Sequence, residues 1–479
     1  MLETHISWLF LLGDRAYKLK KPVHLDFLDF STREARAGAC RREVELNRRL
    51  APDVYLGVAD VYGSDGQPCD HLVVMRRMPD DRRLSVLVER GEDIEDDVRG
   101  IARLLAAFHA RAESSPDISA TATAAAVRAR WESSFATMSR FRGTLLDEEV
   151  ARRVEDQVRR YLAGRGPLFA ERIASAKIRD GHGDLLADDI YCLDDGPRVL
   201  DCIEFDDTLR YGDVVSDVAF LAMDLERLGA DALASRFLGW YRGFADEHAP
   251  DTLVEHYLAY RAHVRAKVAC LRFEQGDDAS GPAAADLLRL CAAHAERTRV
   301  VLTLVGGLPG TGKSTLAGTV ADRLGWSVLR SDEVRKDIAG IGHAARSGAG
   351  YREGIYSPEA TRRTYGELLR RAGSLLERGE SVLLDASWTD AAARDAAASL
   401  AEDTSAELCQ LRCVAPASVT ARRIERRTFA ANDPSDATVD VARRIGADAP
   451  PWDAATSIDT TVPEHESLAA ALRALRVDA

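Results

Sequence analysis

Gly307-Leu308-Pro309-Gly310-Thr311-Gly312-Lys313-Ser314 is the stretch that decides the fold of this 479-residue chain. It satisfies G-x-x-x-x-G-K-[ST] at every fixed position, and its flanks have the required pattern. The apolar run 301–305 predicts a strand before it, and the spacing over 314–324 predicts a helix after it. Glycines in such a turn let successive backbone N–H groups curl around phosphates at the positive end of the helix. Lys313 is then expected on the β- and γ-phosphates of ATP and Ser314 on Mg²⁺, with Gly307, Gly310, Thr311, Gly312 and Thr315 around the phosphates. Strand and helix patterns continue to alternate downstream. A strand at 327–330 runs into Ser331-Asp332-Glu333-Val334-Arg335, and one at 381–384 runs into Asp385-Ala386-Ser387. Ligands of open α/β sheets lie beyond the carboxyl ends of the strands, which puts Asp332 and Asp385 at the phosphate site.

These features resemble the small P-loop kinases: polynucleotide 5′-kinases, zeta toxins, chloramphenicol phosphotransferase and the gluconate kinase group. The resemblance implies Asp332 as base or orienter of the acceptor hydroxyl, Arg335 near the substrate, and Asp385 beside Mg²⁺. An Asp here also suits the cap of a helix starting at Glu333, and the two roles are compatible. Residues 421–427 put four arginines on one helical segment. Such a segment is either a solvated face or a lid that closes over ATP. In the lid reading Arg422 and Arg426 are the contacts. The expectation for 299–479 is an α/β P-loop domain with a parallel sheet and an arginine-bearing lid.

Upstream, the pattern changes. The apolar run 6–12, Gly13-Asp14 and the segment 16–21 predict a β-hairpin. A helix over 32–50 follows, then strands at 54–62 and 71–78. Helical spacing dominates 84–175 and 216–297, with strands expected at 190–193 and 199–205. Between them lies His182-Gly183-Asp184-Leu185-Leu186-Ala187-Asp188-Asp189. This resembles the H-G-D-x-x-x-x-N loop of aminoglycoside phosphotransferases and choline-kinase-like enzymes. The resemblance implies that Asp184 orients the acceptor hydroxyl and takes its proton, and that Asp189, where the family has Asn, binds Mg²⁺. Aligning Ile203-Glu204-Phe205 with the family's I-D-[FW] puts Glu204 at the metal. Asp201 is the alternative, because alternation along a regular strand sends the two side chains to opposite faces. Asp217 would buttress the loop. Ala16-Tyr17-Lys18 looks like the A-x-K strand, with Lys18 on the phosphates, Lys20 competing for that role and Glu43 as the helix partner. Residues 75–79 would be the adenine hinge. No G-x-G-x-x-G precedes the lysine, and residues 3–7 would serve as a shortened phosphate flap. The expectation for 1–297 is an α+β, protein-kinase-like, two-lobed domain with a small lobe over about 1–80 and a helical large lobe over about 81–297. The whole resembles bacterial fusions of an aminoglycoside-phosphotransferase-like domain with a P-loop kinase.

Bulk composition narrows the partners. Hydrophobic residues at 46% with 29% charged describe a globular protein rather than a disordered one. A net charge of −13 disfavours holding nucleic acid by phosphate neutralisation, though 5′-hydroxyl ends stay open, and it favours a small-molecule hydroxyl acceptor. The eight cysteines include no Cys-x-x-Cys pair and read as reduced core thiols. No apolar run approaches about 18 residues and no signal-like start is present, so a cytoplasmic protein without a membrane span is expected. The activity expected is phosphoryl transfer from ATP to a sugar, aminoglycoside-like compound, cyclitol or nucleoside at two sites. The alternatives are a catalytic P-loop domain with a ligand-sensing first domain, and a nucleotide-dependent switch.

Overall fold

The computed structural model describes residues 2–3, 6–25, 28–342, 352–428 and 438–477. Residues 4 and 5 of the expected phosphate flap lie outside the described residues. The chain divides into two compact units, Met1–Val158 with Phe169–Arg297, and Arg159–Leu168 with Thr298–Ala479.

The first unit is mixed α/β. Its sheet has five antiparallel strands in the order Leu2–Glu3, Ser7–Leu12, Arg15–Lys20, Pro68–Arg76 and Tyr55–Tyr62. Gly13, at φ +59°, makes the hairpin turn that the Gly-Asp pair signalled. The helix Arg33–Asn47 lies on this sheet, and Cys40 and Val44 join Ala16, Tyr55, Val73 and Met75 in one core. Thr32 caps that helix by accepting the Ala35 N–H at 3.2 Å. Long helices make up the rest of the unit, among them Glu95–Arg111, Ala124–Met138, Val214–Arg227 and Asp251–Glu274.

One expected strand is corrected. The chain pairs Gly196–Val199 with Ile190–Leu193 and then leaves the ladder. Its next N–H groups go elsewhere: Leu200 to the Asp189 carbonyl at 2.9 Å, Asp201 to Tyr55 Oη at 3.2 Å, and Cys202 to Asn47 Oδ1 at 2.9 Å. With these partners the backbone donors of residues 200–202 are satisfied without a neighbouring strand. Asp201 sits at φ +64°, a region that residues other than glycine seldom adopt.

The second unit holds a five-stranded, all-parallel sheet in the order Ser327–Arg330, Val382–Asp385, Val301–Gly306, Glu407–Val414, Thr456–Asp459. All six residues of the central strand are buried, which fits a reading that is apolar apart from Thr303. Leu316, Ala317, Val320 and Ala321 of the helix Lys313–Leu324 cover it together with Ala471 and Leu475. Each such Leu or Val contributes about 1.5–3 kcal/mol on burial. The segment 159–168 belongs with this unit: Arg165, fully buried, donates to the carbonyls of Leu376 and Thr404. Nothing in the local sequence pattern signals that placement. All eight cysteines are unpaired, and among the described residues no helix is long and apolar enough to cross a membrane.

Candidate functional site

In the second unit the strand Val301–Gly306 empties into the loop 307–312, and the helix Lys313–Leu324 begins directly after it. Gly307, Gly310 and Gly312 have φ of +134°, +82° and +86°, conformations that suit glycine. Space is a second constraint. A Cβ on Gly310 would lie 2.8 Å from the Thr420 carbonyl oxygen, and one on Gly307 would lie 2.6 Å from that of Cys413. Lys313 Nζ donates to the Leu308 carbonyl at 3.2 Å, which holds its charge over the loop. Thr311 Oγ1 donates to the same carbonyl at 2.7 Å, and Thr460 Oγ1 donates to the Thr311 carbonyl at 2.6 Å. Ser314 and Thr315, in the first helical turn, are exposed.

Two carboxylates stand at the ends of the neighbouring strands. Asp385 ends its strand opposite Val305 and is buried. Asp332 is one residue inside the helix Ser331–Ala339, whose cap position is Arg330, so its role is not that of a cap for Glu333. Burial raises the Asp332 carboxyl; Arg335 and Lys313 oppose this and Asp385 reinforces it, which puts the four charges in one neighbourhood. Arg335 donates to the Ile355 carbonyl at 2.8 Å, and its guanidinium lies 4.9 Å from the centre of the Tyr356 ring.

The arginine helix spans Ala417–Thr428. Arg422 and Arg426 are exposed. Arg423 is the residue at the loop, donating to the Thr460 carbonyl at 2.7 Å and to that of Gly310 at 3.4 Å. Thr420, Arg423 and Ile424 share the helix face that meets Gly310 and Gly312, whereas Arg422 and Arg426 share a different one.

In the first unit two pairs of alternatives turn out to be used together. Lys18 and Lys20 lie on one face of the strand Arg15–Lys20, and both reach Glu43, at 3.0 and 2.5 Å. Lys18 also pairs with Asp201 at 2.5 Å, and Lys20 pairs with Glu204. Alternation does not separate Asp201 from Glu204, because the segment is not a strand. The two pairs differ in access: the Lys20 and Glu204 side chains are 0% and 5% exposed, those of Lys18 and Asp201 14% and 48%. Glu204, preferred from sequence as the metal carboxylate, is committed to Lys20. Asp201, itself paired with Lys18, is the carboxylate electrostatically next to Asp189. Burial raises the Asp189 carboxyl well above the ordinary range, and the charges of Asp201 and Asp184 push it further.

The loop carrying Asp184 is held from below. Asp217 accepts the N–H groups of His182 and Gly183 at 2.7 and 2.8 Å and pairs with His109 Nε2 at 3.1 Å. Burial would raise Asp217, but the His109 bond and charge outweigh it and hold the carboxyl far below its usual value. A Cβ at Gly181 would lie 2.6 Å from an Asp217 oxygen, so the close approach requires glycine. His182 is pushed down to about 4 by burial. Neutral, it donates from Nε2 to the Leu200 carbonyl at 3.0 Å, leaving Nδ1 to accept the Asp184 N–H at 3.4 Å. Asp184 itself is raised to about 6 by burial and the Asp201 charge, against the opposing charges of Arg265 and Arg261.

Among the described residues no group of three or more His, Cys, Asp or Glu could hold a metal ion by itself. Mg²⁺ commonly takes only one or two carboxylates and completes its shell with water and substrate phosphates. Asp189 with Asp201 fits that demand, since their mutual repulsion is what a cation relieves. Ser314 with Asp385 offers a second oxygen pair beside the phosphate loop.

Several residues at these sites escaped the sequence reading. Thr460 follows the strand Thr456–Asp459 and could have been found by the strand-end rule. Tyr55, Asn47 and Arg49 fix the 180–202 backbone through side-chain bonds, Arg49 reaching the Asp180 and Gly181 carbonyls at 3.1 and 2.8 Å, and have no local signal.

Residues 302–451 match the family described as AAA domain, which makes this segment a P-loop domain. Over 466 residues the chain is 43% identical to uncharacterized proteins of Mycobacterium tuberculosis and Mycobacterium bovis, covering 97% of this chain and 93% of each relative. Among solved structures, a gluconokinase from Sinorhizobium meliloti aligns with 37% of this chain and 92% of its own, at 18% identity and TM-score 0.27. An APS kinase from Mycobacterium tuberculosis aligns with 37% and 97%, at 18% identity and TM-score 0.26.

Proposed function

The chain belongs to the family of these mycobacterial proteins, and we propose that it is an ATP-dependent phosphotransferase with two separate sites, each acting on a small-molecule hydroxyl. The observation that carries the proposal is the complete loop 307–314, glycine-closed and followed by a helix N-terminus, with Lys313, Asp332 and Asp385 converging on it. In this P-loop kinase domain, 299–479, the loop amides and Lys313 bind the ATP phosphates, with Arg423 bracing the loop. Asp332 orients the acceptor hydroxyl, while Ser314 and Asp385 hold Mg²⁺. Arg422 and Arg426, both exposed, would meet nucleotide from the solvent side.

The first unit supports a protein-kinase-like, two-lobed domain over 1–297 related to the aminoglycoside phosphotransferases. The Lys18–Glu43 pair supports this reading, since such a domain anchors phosphates with a lysine held by a helix glutamate. Asp184, near 6, is poised to accept a hydroxyl proton at neutral pH. Asp189 and Asp201 would hold Mg²⁺, which neutralises charge on the transferred phosphoryl group. Sugars, cyclitols, aminoglycoside-like compounds and nucleosides are the acceptor classes, in a cytoplasmic setting. A second reading makes the P-loop unit the only catalyst and the first unit a ligand sensor. It is favoured by the ion pairs of Lys18 with Asp201 and of Lys20 with Glu204, which occupy the side chains that nucleotide and metal would need.

Equilibrium binding of a non-hydrolysable ATP analogue with Mg²⁺ separates the two. Two sites per chain, falling to one in Lys313→Ala, support the proposal. A single site abolished by Lys313→Ala supports the sensor reading.

A further inference from the structure

We infer that Tyr365 is a positioning residue for nucleotide, its hydroxyl holding a strained turn against the phosphate loop; the inference rests on the P-loop reading of the second unit. The turn follows the strand Val382–Asp385, beyond the carboxyl end where ligands of such sheets lie. Trp388 sits in it at φ +52°, a costly conformation for a bulky side chain. Such strain persists only where the surroundings over-determine it. Here each polar group of Trp388 is held. Its N–H donates to Tyr365 Oη at 3.2 Å, its Nε1 donates to the Leu384 carbonyl at 3.1 Å, and its carbonyl accepts from Arg394 Nη1 at 2.8 Å. The indole is fully buried and meets the Tyr365 ring edge-on, with the ring centres 5.1 Å apart.

The turn touches the loop at two points. The Ser387 carbonyl accepts the Gly307 N–H at 3.2 Å, and a Cβ on Gly306 would lie 3.2 Å from the Cβ of Trp388. Fixing that carbonyl therefore fixes the first amide of the phosphate loop. Tyr365 grips the turn on both sides of the Ser387–Trp388 peptide, because its hydroxyl also shares a hydrogen bond with Ser387 Oγ at 3.2 Å. Burial raises this hydroxyl above its ordinary value, so it keeps its proton at neutral pH. The helix that carries it, Pro358–Leu376, reaches the acceptor side as well. Thr361, one turn before Tyr365, accepts from Arg335 Nη1 at 3.4 Å, and Asp332 lies one turn before Arg335 on the helix Ser331–Ala339. One phenol hydroxyl thus joins the helix pair beside Asp332 to the mouth of the loop. Tyr365 acts through the turn, aligning the loop rather than touching the phosphates.

The test is calorimetric binding of a non-hydrolysable ATP analogue with Mg²⁺ to the full chain, read at the site that Lys313→Ala removes. Tyr365→Phe deletes the hydroxyl and keeps the ring, whereas Ser387→Ala keeps the carbonyl that meets Gly307. Thr364→Val is the structural control: a buried hydroxyl on the same helix that donates to the Ala360 carbonyl at 2.8 Å. The expected result is a Kd raised about tenfold by Tyr365→Phe, less by Ser387→Ala and not by Thr364→Val, although Tyr365→Phe and Thr364→Val both lower the melting temperature. An unchanged Kd in Tyr365→Phe overturns the inference, as does an equal rise in Thr364→Val. A larger rise in Ser387→Ala than in Tyr365→Phe also overturns it, by making the serine hydroxyl a direct ligand. If wild type has no site that Lys313→Ala removes, the P-loop reading falls and the inference falls with it.

Discussion

Backbone geometry shapes the phosphate loop of the second unit, whereas ion pairs and buried carboxylates shape the surroundings of Asp184 in the first. At the loop, three glycines at positive φ and two near-contacts with facing carbonyls fix the chain path. Around Asp184 two lysines meet three carboxylates directly, and Asp184 and Asp189 add further negative charge. A backbone cradle keeps its shape when pH changes or one charge is lost. A cluster of coupled charges does not. The two regions should therefore fail in different ways.

The largest effect is expected at Asp217. Its removal in Asp217→Ala strands two buried N–H donors and His109, at a cost of about 3–5 kcal/mol. Thermal unfolding of the full chain should show this as a destabilised transition with nucleotide binding at Lys313 preserved below it. Equal loss of both would erase the distinction between the regions. Gly310→Ala is the counterpart in the second unit. Strain at φ +82° and the 2.8 Å approach to Thr420 O should cost about 1–3 kcal/mol and weaken ATP binding there, with the Asp184 product unaffected.

Acidity should sharpen the contrast. Asp184 must be ionised to take a proton, so its product should form about tenfold more slowly for each pH unit below 6. Because its folded value lies above the ordinary one, its contribution to stability runs the other way. That contribution is present below about 4 and is lost as pH rises towards 6. Rate and melting temperature measured across this window should move in opposite directions, and a flat rate would remove Asp184 as base. The smallest effect separates neighbouring arginines. Arg423→Ala loses its hydrogen bonds to Gly310 and Thr460 and should cost about 1 kcal/mol, whereas exposed Arg422→Ala should stay within about 0.5 kcal/mol. Denaturant midpoints would resolve the pair.

The same contrast governs what the sequence discloses. The phosphate loop is eight consecutive residues between a strand and a helix, so local pattern suffices, and Asp332 and Asp385 follow from strand ends. The charge cluster joins Lys18, Glu43 and Asp201 across the whole first unit. Its decisive feature, the left-handed residue Asp201, depends on Tyr55 and Asn47 accepting N–H groups from a segment whose composition reads as strand. Arg423 was missed for a subtler reason. Helical phase shows which arginines share a face, and only tertiary packing shows which face meets the loop.

Two independent phosphoryl-transfer sites are the core of the proposal. Its most direct test is product analysis of full-length protein with MgATP and an acceptor panel, comparing wild type with Asp184→Ala, Lys313→Ala and the double variant. Each single change should remove a different phosphorylated product, by about 10²-fold or more, and the double variant should make neither. Loss of every product in Lys313→Ala, with Asp184→Ala indistinguishable from wild type, would contradict it.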